Sequence, residues 1–178
     1  MRRRASPIAN RKDAVNPPLL EWTADLQLGE SVMDETHREF VDLLNRLGAT
    51  GGDALLDDLD AFIAHTVEHF AQEERWMEEI AFPPLHCHHN EHAGVLEVMR
   101  EVRKRVAGGE AHLGNTLAVA IAEWFPLHAG SMDAVLALHM KQIGYVPGAD
   151  NAAAIAAAAA LAQAHACAKP CSPAEQKG

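Results

Sequence analysis

At 178 residues and 19.3 kDa, the chain has room for one domain with extensions. Apolar residues at 48 % and charged residues at 22 % lie near globular averages, which excludes wholesale disorder and fibrous repeats. The formal charge of −10 is uneven: Arg2, Arg3, Arg4, Arg11 and Lys12 crowd the start, while residues 13–148 hold 8 basic and 23 acidic residues. So acidic a body repels phosphate backbones, and no nucleic acid is expected as partner.

Residues 1–19 carry Pro7, Pro17 and Pro18 without hydrophobic periodicity and read as a flexible N-terminal arm. The arginines after Met1 lead into Ser6-Pro7 rather than an apolar stretch, so no secretory leader is expected. Cys87, Cys167 and Cys171 make no disulfide framework and suit a reducing cytoplasm.

From Ser31 the pattern turns helical, with His37, Phe40, Val41, Leu44 and Leu47 at three- and four-residue spacing up to Gly51-Gly52. A second helix, with Asp53 as its expected cap, carries Leu59, Phe62, His69, Glu73, Met77 and Ile80 and ends at Pro83-Pro84. Pro84 can open a third, whose face is Leu85, His88, His92, Val95, Met99, Val102 and Val106, ending at Gly108-Gly109. A fourth runs from Glu110 or Asn115 to Gln142 with the stripe Leu117, Ile121, Trp124, His128 and Val135. Nothing reads as a strand. The predicted fold is all-α, an antiparallel up-down-up-down four-helix bundle over residues 20–148.

After Pro147-Gly148 comes an alanine-rich tail, 149–178, with high helix propensity and few large side chains to bury. It is expected to be mobile or to depend on a protein partner. Its longest apolar run, Ala152 to Ala162, is 11 residues, short of the roughly 20 that a membrane span needs.

The chemistry is in the histidines. Eleven His stand against nine aromatic residues, an imbalance that core packing does not call for. In each helix, titratable residues interrupt the apolar stripe, and burying them without partners costs several kcal/mol apiece, on the order of 2–7. They form His69-x-x-x-Glu73, His88-x-x-x-His92 and His128-x-x-x-x-Asp133, with His37 alone on the first helix. Residues four apart share a helix face, so such pairs aim two ligands into one volume. Five imidazoles and two carboxylates exceed the needs of one ion. If Glu73 and Asp133 bridge two ions, the five His divide as three and two, and the second ion keeps an open position. The mixed N/O set suits iron.

Two features complicate this pattern. Pro126 removes a hydrogen bond within the fourth helix, and His128 and Asp133 lie about 140° apart on an ideal helix. A kink or bulge near Pro126 or Gly130, or side-chain reach, has to reconcile them. On the third helix His88 with His92 is the i, i+4 pair, with His89 and His92 as the alternative.

These segments resemble the hemerythrins, specifically single-domain bacterial hemerythrins. The resemblance covers about residues 20–145: Asp34-Glu35-Thr36-His37, then His69 through Glu73-Glu74 to Met77, then Pro83 to His88 and His92, then Trp124 through His128 to Asp133. It implies that His88, His92 and His128 hold one iron and His37 and His69 the other. Glu73 and Asp133, with a solvent-derived oxo or hydroxo group, would bridge the two. It further implies that dioxygen binds reversibly at the two-histidine iron, as in a carrier or store. Phe40, Phe70, Met77, Trp124 and Phe125 are candidates for a dry wall around the oxygen. The alternatives are a sensor acting through a partner, or a diiron enzyme acting on nitric oxide, peroxide or damaged iron centres.

Overall fold

The computed structural model describes residues 17–167, with side chains through residue 163. Six α-helices appear among these residues: α1 (Ser31–Ala49), α2 (Leu55–Glu79), α3 (Leu85–Ala107), α4 (His112–His128), α5 (Ala134–Ile143) and α6 (Ala152–Cys167). No strand occurs among them. A five-residue π-helical turn, Ala129–Asp133, joins α4 to α5, so the predicted fourth helix is one rod with a bulge. Around the bundle α1 packs on α2 and α4, and α3 packs on α2 and α4, which closes a ring of four antiparallel rods.

Helix ends follow local chemistry, with one departure from expectation. The Glu30 side chain accepts the Met33 amide at 2.7 Å and starts α1. Asp53 makes no capping bond: Gly52–Ala54 form a 3₁₀ turn instead, and α2 begins at Leu55. At the end of α5, Gly144 takes φ 75° and the Tyr145 amide reaches back to the Met140 carbonyl at 2.9 Å, a Schellman motif. The same motif ends α2, but there Ala81 occupies the left-handed seat at φ 48°. Gly114 permits close approach of α4 to α2, since a Cβ there would meet Leu55 Cδ1 at 2.9 Å.

Along each rod an apolar layer, a polar layer and a second apolar layer follow one another. In α1 the order is Met33, His37, Phe40; in α2 it is Phe62, then His69 and Glu73, then Met77. All are buried, and each layer meets its equivalents on the other helices. One apolar cluster includes Phe40, Leu44, Phe62, Met99, Leu117 and Phe125; the other includes Met33, Trp76, Met77, Leu136 and Met140. Each fully buried side chain of this size stabilises the fold by about 1.5–3 kcal/mol. Together the two clusters hold the polar layer between them. Val135, expected in the core stripe, is 49 % exposed, because the π-turn rotates the residues that follow it.

The C-terminal segment also departs from expectation. Residues 1–16 of the expected arm, the side chains of His165 and Cys167, and Cys171 lie outside the described residues. Residues 152–167, expected to be mobile or partner-dependent, form α6 against α5, burying Ala154 and Ala158 in the cluster with Trp76 and Tyr145. Small side chains suffice because they let the helix approach closely. Asn151 fixes the turn into it, accepting from the Val146 amide and donating to the Val146 carbonyl, both at 2.9 Å. No helix among the described residues is long and apolar enough to cross a membrane.

Candidate metal centre

The polar layer is made of the seven residues singled out in the sequence: His37, His69, Glu73, His88, His92, His128 and Asp133, all at most 3 % exposed. Their donor atoms fall into two groups. His128 Nε2 lies 3.3 Å from His88 Nε2 and 3.1 Å from His92 Nε2. Asp133 Oδ1 lies 3.0 Å from His88 Nε2 and 3.1 Å from His128 Nε2, and Glu73 Oε2 lies 3.3 Å from His92 Nε2. On the other side, His69 Nε2 is 3.1 Å and His37 Nε2 3.5 Å from Glu73 Oε1. His37 Nε2 is also 3.4 Å from Asp133 Oδ2. Glu73 thus turns Oε2 toward His88 and His92 and Oε1 toward His37 and His69, while Asp133 turns Oδ1 toward His88 and His128 and Oδ2 toward His37.

Such an arrangement fits metal rather than hydrogen bonding. Three imidazole nitrogens crowd together, although a neutral imidazole has only one N–H to share. Glu73 Oε2, both Asp133 oxygens and His37 Nε2, all turned into this layer, have no hydrogen-bond partner, a cluster of buried orphans that a cation would explain. Nitrogens 3.1–3.3 Å apart also match adjacent positions on one ion, since bonds of about 2.1 Å at right angles place them about 3.0 Å apart.

Electrostatics prepares the donors. Burial and Asp133 oppose ionisation of Glu73, but His69 and His37 outweigh them and hold its carboxyl at about 2. Burial likewise opposes the charge on Asp133, and the His128 and His88 imidazoles 3.1 and 3.0 Å from its Oδ1 drive it well below the usual carboxylate range. Burial pushes His92 down to about 3, against the pull of Glu73, so that it stands neutral with a free lone pair. For His37, burial is outweighed by Glu73 and Asp133, and its proton affinity is raised. A metal ion competes for that same lone pair.

The π-turn brings His128 and Asp133 onto one face despite their five-residue separation. On α3, His88 and His92 enter the site, whereas His86 and His89 are exposed. His65 is half-buried, with Nε2 3.2 Å from the Thr36 carbonyl, and lies outside the layer.

The five expected wall residues divide. Phe40 and Phe125 stack at 4.4 Å, and they meet the rings of His69 and His37 edge-on at 5.8 and 5.1 Å. These two flank the two-imidazole side. Phe70 lies parallel on His92 at 3.7 Å and Trp124 stacks on His128 at 4.5 Å, so both back the three-imidazole side. Met77 belongs to the apolar cluster beyond the layer. Two positioning residues were not singled out for that role. Glu91 accepts the Trp124 indole N–H at 2.9 Å, and Glu74 lies 3.0 Å from His89 Nδ1 and 3.7 Å from His92 Nδ1. Their one signal in the sequence is adjacency to a ligand-type residue, Glu74 after Glu73 and Glu91 before His92.

Comparison with known proteins agrees with the geometry. The hemerythrin HHE cation binding domain matches residues 28–138. A bacteriohemerythrin of Ralstonia nicotianae is 44 % identical over 127 residues, spanning 71 % of this chain and 93 % of the relative. A bacteriohemerythrin of Stenotrophomonas maltophilia is 30 % identical over 127 residues, spanning 69 % of this chain and 82 % of that one. A crystal structure of a hemerythrin point mutant superposes with a TM-score of 0.64 at 26 % identity, covering 68 % of this chain and 97 % of the other. With seven buried donors in place and a match of this extent, the chain belongs to the hemerythrin family.

Proposed function

We propose that this protein binds dioxygen reversibly at a non-haem diiron centre, as a carrier or store rather than an enzyme. His88, His92 and His128 would hold one iron and His37 and His69 the other, with Glu73 and Asp133 shared between them. The observation that carries the reading is the asymmetric division of donors about two carboxylates that face both ways. It would give one ion five protein donors and the other four, so that the two-histidine side is where a further ligand would find room.

A pair of ferrous ions held there would supply the two electrons that reversible dioxygen binding needs. The chain's own residues set the conditions. Five imidazole donors bring no negative charge and so compensate high-valent iron less than carboxylates would, which favours binding over cleavage of oxygen. Phe40 and Phe125, both fully buried, keep water and protons from the two-histidine side. Phe70 and Trp124 hold the rings of His92 and His128 in orientation by stacking.

The test is a spectroscopic cycle. Anaerobically reduced protein is nearly colourless, gains a visible charge-transfer band with one oxygen per diiron site, and returns to its starting spectrum when oxygen is removed. One irreversible oxidation, with a co-substrate consumed, would make this a diiron enzyme instead.

A further inference from the structure

A surface groove of about 320 Å³ runs between α3 and α4 and ends on Trp124. It exists because two of the smallest residues face it: Ala120 on α4, and Gly94 on α3, where an added Cβ would meet nothing within 4 Å. Its walls are apolar apart from Asn90 and Glu91, and Glu91 is the one ionisable side chain among its lining residues. The Trp124 indole donates to Glu91 Oε1 at 2.9 Å, which uses one oxygen of that carboxylate. Behind the groove, the same indole stacks on His128 at 4.5 Å with 26° between the ring planes. One aromatic ring therefore joins solvent to the buried donor layer.

We propose that this groove binds an uncharged hydroquinone and that Trp124 passes its electrons to the metal centre whenever both irons are ferric. The volume accommodates a single substituted ring, and the indole lines the end of the groove where that ring would pack against it. A net charge of −10 and Glu91 at the rim repel anionic reductants, while the carboxylate accepts a phenolic hydroxyl. The reaction balances: one hydroquinone becomes a quinone, two ferric ions become ferrous, and the two O–H protons leave by way of Glu91 to solvent. The electron-transfer half rests on the diiron reading; the binding half does not.

Two measurements on the full-length, iron-loaded protein test this. Equilibrium dialysis with resorcinol, which has two ring hydroxyls but cannot form a quinone, reads binding without redox. Saturable binding is expected, weakened at least about tenfold by Ala120→Trp, which fills the groove from α4, and by Gly94→Leu, which fills it from α3. Anaerobic mixing of the diferric protein with trimethylhydroquinone reads electron delivery from loss of the ferric absorption. The rate should saturate in the native chain and fall about tenfold in both variants. Iron content and oxygen uptake after dithionite reduction should be unchanged in them. Circular dichroism confirms that each variant folds. Reduction that stays linear in hydroquinone and equal in all three proteins overturns the proposal, as does absence of resorcinol binding. Failure of oxygen uptake in the native chain would instead count against the oxygen-binding reading.

Discussion

His128 Nε2 and Asp133 Oδ1 lie 3.1 Å apart although five residues separate them. On a regular α-helix they would point about 140° apart. The π-turn Ala129–Asp133 absorbs the extra residue, so the pair occupies the place of an i, i+4 pair, one turn or about 6 Å along the rod. Downstream, Leu136 and Met140 keep their buried positions.

This geometry predicts an asymmetry between deletion and insertion. Deleting exposed Gly130 leaves His128 and the aspartate four apart on a plain helix and should preserve two irons per chain. Inserting one alanine after Gly130 should lower iron content to one or less. Iron-to-protein ratios decide it: loss of metal on deletion would show that the π-turn supplies more than register.

Glu73 and His112 make a second contrast. Glu73 is 1 % exposed with an oxygen toward each set of imidazoles, whereas His112 is exposed at the start of α4. Glu73→Ala should therefore empty the site of at least one iron, while His112→Ala should retain two. Equal iron loss in the two proteins would mean that convergence in the polar layer does not determine metal binding.

Helical periodicity made the bundle and the seven donors legible, because each donor interrupts an apolar stripe that the fold must bury. His88 with His92 was readable by spacing, and His86 and His89 do fall outside. What spacing could not give was the outcome at the bulge: Pro126 and Gly130 marked the irregular region, but the rotation that exposes Val135 depends on the π-turn itself. Nor could composition reveal that α6 docks. Alanine has little area to bury, and whether Ala154 and Ala158 find a close enough surface depends on Trp76 and Tyr145 from elsewhere in the chain. The wall residues are legible as core but not as sides, since that Phe125 faces His37 and Trp124 faces His128 is settled by tertiary packing.

The buried charges predict how metal-free protein responds to acid. Glu73 at about 2 and Asp133 below its usual 3.8 bind fewer protons folded than unfolded, so their contribution is present above pH 4.5 and lost as pH falls toward 2. His92, held at about 3 against 6.5 unfolded, acts in the same direction between those values. His37, raised, acts oppositely: its contribution is present below 6.5 and lost as pH rises through its folded value. His37 therefore acts only above pH 6.5, and the other three groups alone decide the range below it, so the melting temperature of chelator-stripped protein should fall steadily from pH 6.5 to 3. A flat or rising profile over that range would contradict the neutral state of His92 and the ionised state of the carboxylates.

Ala81 stands where the Schellman motif favours glycine, at φ 48°. A side chain in that conformation costs about 1–2 kcal/mol, partly offset by the freedom glycine has when unfolded. Ala81→Gly should raise stability by about 0.5–1 kcal/mol in denaturant titration, with iron content unchanged. A destabilised variant would show that the α2–α3 turn relies on the Ala81 methyl.

Truncation after Gly148 tests what α6 contributes. The helix buries Ala154 and Ala158 against the cluster of Trp76, Met140 and Tyr145, and no donor of the polar layer lies on it. Two buried methyl groups and the surface they cover are worth about 1–2 kcal/mol at roughly 25 cal/mol per Å². The Tyr145 hydroxyl donates to Glu79 Oε2 at 2.5 Å, and both residues remain in the shortened chain, so the end of the bundle stays tied to α2. The truncated protein should therefore unfold at lower denaturant concentration yet hold two irons and bind oxygen at unchanged stoichiometry. Loss of iron in the folded truncated chain would mean that α6 supports the metal layer through the apolar cluster beneath it; unchanged stability would mean that its contacts with α5 contribute nothing in solution.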